Sequence, residues 1–321
     1  MNGIVAFILT VLLYPGIIAA GIAAVALTWA RDSARAVMGR GRFAPPLSLV
    51  EEVRGAIARD TLLPAGATGW VLMLVSSVAP LFPLLALIFL PVPGNPLVAA
   101  LGLTGDLIVE GGLLLGLPLM RLLIGWSTLS PYTRLAADRN VRLLAGAAVP
   151  VILALTASAE QAETLGLSAA PSNGALTMLP LITRLLAAVA FALTLPVLAR
   201  VTPMREDEGD VDLVASELTE LSGRDLACFR IAEALQLVAV AGLFTAAFVL
   251  PIFTTLPNGV TRNLLWLFGI VLTALGIGAW EGMAPRTVSQ ENRPPLSWWL
   301  GVPVLVALLA LVAAAWATRG A

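Results

Sequence analysis

Long apolar stretches alternate with shorter polar segments along the whole chain. A helix needs about 20 apolar residues to cross a bilayer core of about 30 Å. Eight stretches qualify as candidate spans: residues 3–30, 67–89, 97–123, 141–157, 175–198, 231–251, 263–281 and 298–317. The pattern therefore predicts an all-α integral membrane protein with about eight transmembrane helices, folded as a single polytopic membrane domain over residues 1–321.

The arginines fall almost entirely on one side of these predicted helices. The loops after the first, third, fifth and seventh helices hold most of them, and the other side has only Arg262 and Arg319. Cytoplasmic loops carry an excess of basic residues. We therefore expect these four loops in the cytoplasm and both termini outside. The first apolar run lacks a positively charged segment before it and is too long for a signal peptide, so we expect an uncleaved helix.

The first cytoplasmic loop, residues 31–66, contains PPLSLVEEVRGAIARD. Two prolines suit a helix start, and Leu47, Val50, Val53 and Ile57 then share one face. This spacing predicts a short amphipathic helix. It could lie at the membrane interface or against a partner, or it could pack on its own bundle.

Composition narrows the possible functions. The chain is 59% hydrophobic and only 12% charged, which excludes an ordinary soluble domain. A net charge of −1 gives no electrostatic case for nucleic acid. There is no His, and Cys228 is the sole cysteine, so the chain has no ligand set for haem, iron–sulfur or zinc. We expect this chain to bind no cofactor or metal, and any redox metal to belong to partner subunits.

Charged residues within predicted spans are candidates for a proton path or a polar cavity, because charges are costly in a bilayer. Asp106 and Glu110 are four residues apart in the third span, and Glu233 lies just inside the sixth. An interhelical ion pair or an end group at the interface is the alternative for each. Glu281 and Arg121 are expected at span boundaries, and Arg184 is a further basic candidate.

The segment 200–230 is the densest polar part of the chain and is predicted to be an acidic cytoplasmic loop. Apolar residues interleave with its acids, which favours a folded and partly buried segment over a solvated one. Clustered acids raise one another's pKa values. The acids of this loop could therefore hold or pass protons near neutral pH.

Three motifs resemble the NuoH-like family of respiratory complex I membrane proteins, which includes membrane-anchor subunits of energy-converting nickel–iron hydrogenases and formate hydrogenlyase. Residues 210–227 resemble its E-x-E-L-V…E-Y-S-G and S-G-x-D-L-A patterns, with Glu233 at the acid of an L-A-E motif. GWSTLSPYTRLAADR, residues 125–139, resembles G-W-S-x-x-S-x-Y-x-x-L-x-A-x-R. GRGRFAPP, residues 39–46, resembles the segment after the first helix.

The resemblance implies a non-metal subunit of a translocase-type oxidoreductase in the inner membrane of a prokaryote. Such a subunit docks a peripheral arm holding iron–sulfur clusters, and in hydrogenases the nickel–iron centre, and contacts antiporter-like membrane subunits within the lipid bilayer. It contributes to proton coupling or quinone access. The family implies a proton path through Asp212, Glu220, Asp225 and Glu233, with Arg42, Trp126, Tyr132 and Arg139 toward the arm or a quinone chamber.

The sequence also departs from the family pattern. Ala148 stands near the position of a glutamate on the fourth helix, and Pro196 and Val197 replace an acid on the fifth. These losses favour an alternative function, a structural anchor without a proton path. A standalone transporter is a third possibility, although the sequence lacks an inverted pattern of broken helices.

Overall fold

The computed structural model describes residues 11–14, 16–62, 68–90, 106–128, 130–162, 178–200, 218, 221–253, 260–283 and 296–319. Its principal α-helices are α1 Ile17–Arg40, α2 Ser48–Ile57, α3 Gly69–Val78, α4 Leu81–Phe89, α5 Leu107–Ser127, α6 Pro131–Ala162, α7 Met178–Leu198, α8 Gly223–Phe244, α9 Val260–Met283 and α10 Leu296–Arg319.

Seven helical segments of this described part are long and apolar enough to cross a membrane. They are α1, the α3–α4 pair, α5, α6, α7, α8 with its continuation to Ile252, and α9. The eighth predicted span falls on α10, whose apolar part is the shorter segment Gly301–Ala317. The prediction of an all-α integral membrane protein is confirmed.

Helix α8 occupies the centre of the bundle. It packs against α1, α2, α3, α4, α5, α7 and α9. In an 18-residue apolar stretch of this span, 78% of the residues are buried. Its sequence is apolar on all sides after Gln236, as expected for a helix surrounded by others. On one flank α9 packs on α1, and on the other α6, α7 and α10 pack together. Residues of α8 therefore meet several helices at once.

Prolines explain two irregularities that shape the interior. The second span is divided into α3 and α4 near Pro80, and Pro83 cannot donate a hydrogen bond to the carbonyl of Ala79. Pro118 lies inside α5, where it leaves the carbonyl of Leu114 without its helical donor. Beyond Phe244 the central helix continues as a π-helical segment, Thr245–Val249, and a 3₁₀ turn, Leu250–Phe253.

Three helix boundaries differ from those expected. Helix α5 begins at Leu107 instead of near residue 97, because Asp106 caps it with a 2.9 Å hydrogen bond from the Ile108 N–H to its side chain. Helix α6 starts well before residue 141 and has 32 residues. Helix α8 begins at Gly223, so the end of the predicted acidic loop is helical.

The predicted amphipathic helix is α2, and it uses both of its sides. It packs against α8 and α1, and Ala56 is buried. Leu47, Val50 and Ile57 nevertheless remain exposed, by 54%, 45% and 60%. The helix therefore packs on its own bundle and also presents an apolar face outward.

The chain after α2 is fastened to the start of α8. Ser222 Oγ accepts a 2.7 Å hydrogen bond from the Leu62 N–H and donates a 3.1 Å hydrogen bond to the Asp60 carbonyl. Gly223 has a φ of 59°, and its missing side chain leaves room for the backbone of Thr61. The Ser-Gly pair of the acidic motif thus joins the first predicted cytoplasmic loop to the central helix.

Candidate functional site

A polar cavity of about 370 Å³ opens between α1, α2, α5, the end of α7 and α8. Among the described residues, five arginines and three acids line it: Arg31, Arg35, Arg121, Arg200, Arg230, Asp32, Glu52 and Glu233. The formal charge of these lining residues is therefore positive. The cavity lies at the end of the bundle that is predicted to face the cytoplasm.

Glu233 is the acid at the centre of this cavity. It forms an ion pair with Arg121 of α5, and its Oε2 accepts a 3.2 Å hydrogen bond from Arg230, one turn earlier on α8. Arg230 Nε also lies 4.0 Å from Glu52 of α2. Charges inside a membrane protein pair with one another when they face the interior. The network consequently links α2, α5 and α8.

A second ion pair fixes another wall of the cavity. Arg35 Nη1 lies 2.9 Å from Glu281 Oε1, and the Glu281 side chain is only 3% exposed. Glu281 belongs to α9, behind the cavity, whereas Arg35 lines it from α1. The nearby pair Arg31 and Asp32 is 2.8 Å apart on α1. The charged wall of α1 is thus supported from the far side by α9.

Gln236 joins the cavity to the interior of α5. Its Nε2 donates a 2.7 Å hydrogen bond to the Leu114 carbonyl, the one that Pro118 leaves without a helical donor. Its Oε1 and the hydroxyl of Thr28, which also lines the cavity, are buried without a hydrogen-bond partner in the described structure. Such atoms are normally satisfied by ordered water or a bound group.

An apolar groove of about 570 Å³ lies beside the polar cavity. Its walls come from α1, α2 and α8, and Arg54 is the charged residue among its described lining residues. Leu49 and Ala234 line both the groove and the cavity. A polar space and an apolar space therefore share a wall at one end of the bundle.

The GWS motif forms the last residues of α5, and hydrogen bonds connect this end of α5 to α6. Trp126 Nε1 donates a 3.2 Å hydrogen bond to Asp138, and the Trp126 side chain is 48% exposed. The hydroxyls of Thr128 and Thr133 are hydrogen-bonded to each other, and Arg134 Nε donates a 3.2 Å hydrogen bond to the Thr128 carbonyl. The exposed indole at the end of α5 is thus held by a side chain of α6.

The remaining candidate acids do not gather in the cavity. Asp106 is a helix cap, and Glu110 is buried at 1% exposure in the first turn of α5. Asp225 lies in the first turn of α8 and is 8% exposed, where a negative charge complements the helix dipole. Asp212 and Glu220 lie outside the described residues.

The basic and aromatic candidates are also separated. Arg42 follows the end of α1 and is exposed. Tyr132 and Arg139 lie on α6, but their side chains are outside the described part of the structure. Arg184 donates a 3.0 Å hydrogen bond to the Pro251 carbonyl, at the irregular end of the central helix.

Two side chains expected at span boundaries are instead buried in ion pairs. Arg121 is 4% exposed and Glu281 is 4% exposed. Their apolar neighbours gave no indication of which partner they meet, because the partners come from distant helices. Gln236 was missed, although its place three residues after Glu233 and the proline inside α5 were signals of a polar contact.

Metal ligands do not assemble in the described part of the chain. No group of three or more His, Cys, Asp or Glu residues is placed there so that it could hold a metal ion. The described residues that line the site are arginines, carboxylates, one amide and one hydroxyl among apolar side chains, and these polar groups suit recognition of a polar group.

The fold resembles that of a chain in the structure of the membrane-bound sulfane sulfur reductase, an archaeal respiratory membrane complex. The TM-score is 0.79 at 18% identity, and the match covers 98% of this chain and 100% of that chain. No curated protein matches the sequence. The NADH dehydrogenase family matches residues 7–315. The chain therefore belongs to the NADH dehydrogenase family, which confirms the resemblance to the NuoH-like membrane proteins of respiratory complex I.

Proposed function

We propose that this membrane subunit of a complex-I-like respiratory complex anchors a peripheral redox arm and gives a quinone-type carrier access to it. The observation that carries the proposal is the polar cavity that shares Leu49 and Ala234 with an apolar groove. An electron carrier with a polar head and an isoprenoid tail has the same division of chemistry. The cavity offers arginines and orphaned polar atoms to the head, and the groove offers an apolar surface to the tail.

Partner subunits follow from the same proposal. The iron–sulfur clusters, and a nickel–iron centre if the complex is hydrogenase-like, belong to the peripheral arm, and antiporter-like subunits adjoin the chain in the bilayer. The exposed indole of Trp126, fixed by Asp138, suits an anchor for such an arm, because buried aromatic side chains dominate many interfaces. Arg42 and Arg139 are proposed for the same face. The membrane is proposed to be the inner membrane of a prokaryote, with both termini outside.

Carrier access is tested with a photoreactive quinone analogue on the purified complex. Wild-type protein should be labelled on peptides from α2 and α8, next to Leu49 and Ala234. An A234W variant fills the shared wall and should lose that labelling. An L267W variant, at an exposed position on α9, should retain it. Labelling that is unchanged in A234W would overturn carrier access at this site.

Docking is tested by mild-detergent purification with a tag on this chain. Wild-type protein should carry cluster-bearing subunits with it, and a W126A variant should carry fewer at equal expression. Recovery of the wild-type chain alone would contradict the anchor proposal and would favour a standalone transporter. Labelling and co-purification therefore test the two halves of the proposal separately.

A structural anchor without a proton path through Glu233 is the second candidate. Glu233 is engaged by both Arg121 and Arg230, as a structural ion-pair network requires. The acids absent near Ala148 and Pro196 favour the same conclusion. The test is an E233Q variant of the assembled complex, compared in redox turnover and ion pumping. Lower pumping at unchanged turnover would contradict the anchor-only function and return Glu233, with Asp212, Glu220 and Asp225, to a proton path.

A further inference from the structure

Glu110 is a buried carboxyl group that neither proposed function uses. It is 1% exposed, and both of its carboxylate oxygens lack a hydrogen-bond partner in the described part of the chain. An unpaired carboxylate in such a place is costly, and binding a proton removes the charge. A buried acid of this kind is therefore expected to bind a proton, and that proton needs a route by which it reaches the carboxyl group.

The neighbouring helices offer few charges that could pair with it. Helices α3 and α4 contain none. On α6, the acid near the C-terminal end is Glu160, and its side chain is exposed. Arg184 of α7 donates a hydrogen bond to Pro251, and Glu233 of α8 is engaged by Arg121.

Helix α5 connects Glu110 to the polar cavity along one buried face. Glu110, Leu114, Leu117 and Arg121 recur at helical spacing, and all four are buried. Leu117 and Arg121 line the cavity. Successive turns thus lead from the cavity to the carboxyl group.

Gln236 contacts α5 at Leu114, between Glu110 and the cavity-lining Leu117. It lines the cavity, is 3% exposed, and donates its Nε2–H to the Leu114 carbonyl. Glu110 is one turn from Leu114, about 6 Å along the helix axis. The Gln236 Oε1 has no partner in the described structure, so it can accept a hydrogen bond from a water molecule placed toward Glu110.

We propose that Glu110 is a proton-binding site inside the membrane, connected to the polar cavity through Gln236 and intervening water. The proton is held on a carboxylate oxygen, and it exchanges with water of the cavity without any redox step. This inference goes beyond carrier access and docking, because it requires neither a carrier nor turnover.

Infrared difference spectroscopy on the resting complex tests the site. The wild-type spectrum minus that of an E110Q variant should show a protonated carboxyl band, and that band should shift when the complex is transferred to D₂O. A Q236L variant should keep the band and slow its shift by about tenfold, equivalent to about 1.4 kcal/mol in the exchange barrier.

A second variant separates a lost connection from a damaged helix. Q236L leaves the Leu114 carbonyl without its donor, whereas Q236L/P118A supplies a helical N–H to that carbonyl. Slow exchange in both variants supports the connection. Absence of the band from wild type would overturn the proton site, and exchange at the wild-type rate in Q236L/P118A would overturn the route through Gln236. Carrier labelling at Ala234 is independent of each outcome.

Discussion

Arg35 and Glu281 join two helices that are far apart in sequence, with Nη1 and Oε1 2.9 Å apart. Arg35 faces the polar cavity from α1, and Glu281 supports it from α9, where it is almost completely buried. Gly282 lies beside this pair, and a Cβ atom there would come 2.8 Å from the Arg35 carbonyl oxygen. Ion pair and close backbone contact together fix the charged wall of the cavity.

An E281Q variant should lower the free energy of unfolding by about 1–3 kcal/mol, because Arg35 loses its charged partner while Gln keeps the volume. The measurement is thermal or denaturant unfolding of the purified complex in detergent. An E51Q variant at an exposed position of α2 is the control and should change stability by less than about 0.5 kcal/mol. Equal effects of the two changes would show that the ion pair does not hold the wall.

A G278A variant should separate α1 from α9, because its Cβ would overlap the Arg31 carbonyl, a backbone atom that cannot rotate away. Overpacking of this kind costs about 1–3 kcal/mol. G276A, two residues earlier on α9, places its Cβ in open space and should be neutral or stabilising by up to about 1 kcal/mol, since Ala favours helices over Gly. Unfolding of both variants distinguishes backbone contact from helix propensity. Similar stabilities would mean that the seam tolerates a side chain.

A G223A variant should release the chain after α2 from the start of α8. Its Cβ would lie 2.8 Å from both the Thr61 N and Cα atoms, in addition to the strain of a φ of 59°. G41A is a matched control, because Gly41 has a φ of 66° with open space around it and should show only the strain of about 1–2 kcal/mol. Limited proteolysis after Ile57 should be faster in G223A than in G41A. Equal rates would rule out the contact with Thr61 as the fastening.

The sequence allowed the helices to be predicted more completely than the contacts between them. Hydropathy depends on neighbours along the chain, so the spans could be identified from their long apolar runs. The amphipathic helix could be identified from the spacing of residues such as Leu47 and Val50. The partners of Arg121 and Glu281 come from helices more than 100 residues away, and no local pattern encodes that pairing. The start of α5 at Leu107 depends on a cap by Asp106, a residue whose place in an apolar run predicts a position within the span.

A double-mutant cycle on Pro118 and Gln236 tests whether the proline determines the role of the amide. Q236L alone should cost about 1–3 kcal/mol, because the Leu114 carbonyl is left buried and unpaired. In a P118A background the helix supplies its own N–H to that carbonyl, so Q236L should cost less by about 1 kcal/mol. Unfolding of the four proteins in the same detergent gives the coupling energy. Additive costs would mean that Gln236 is held by packing alone, whereas the expected coupling would show that a helix-breaking residue on α5 creates the polar contact on α8.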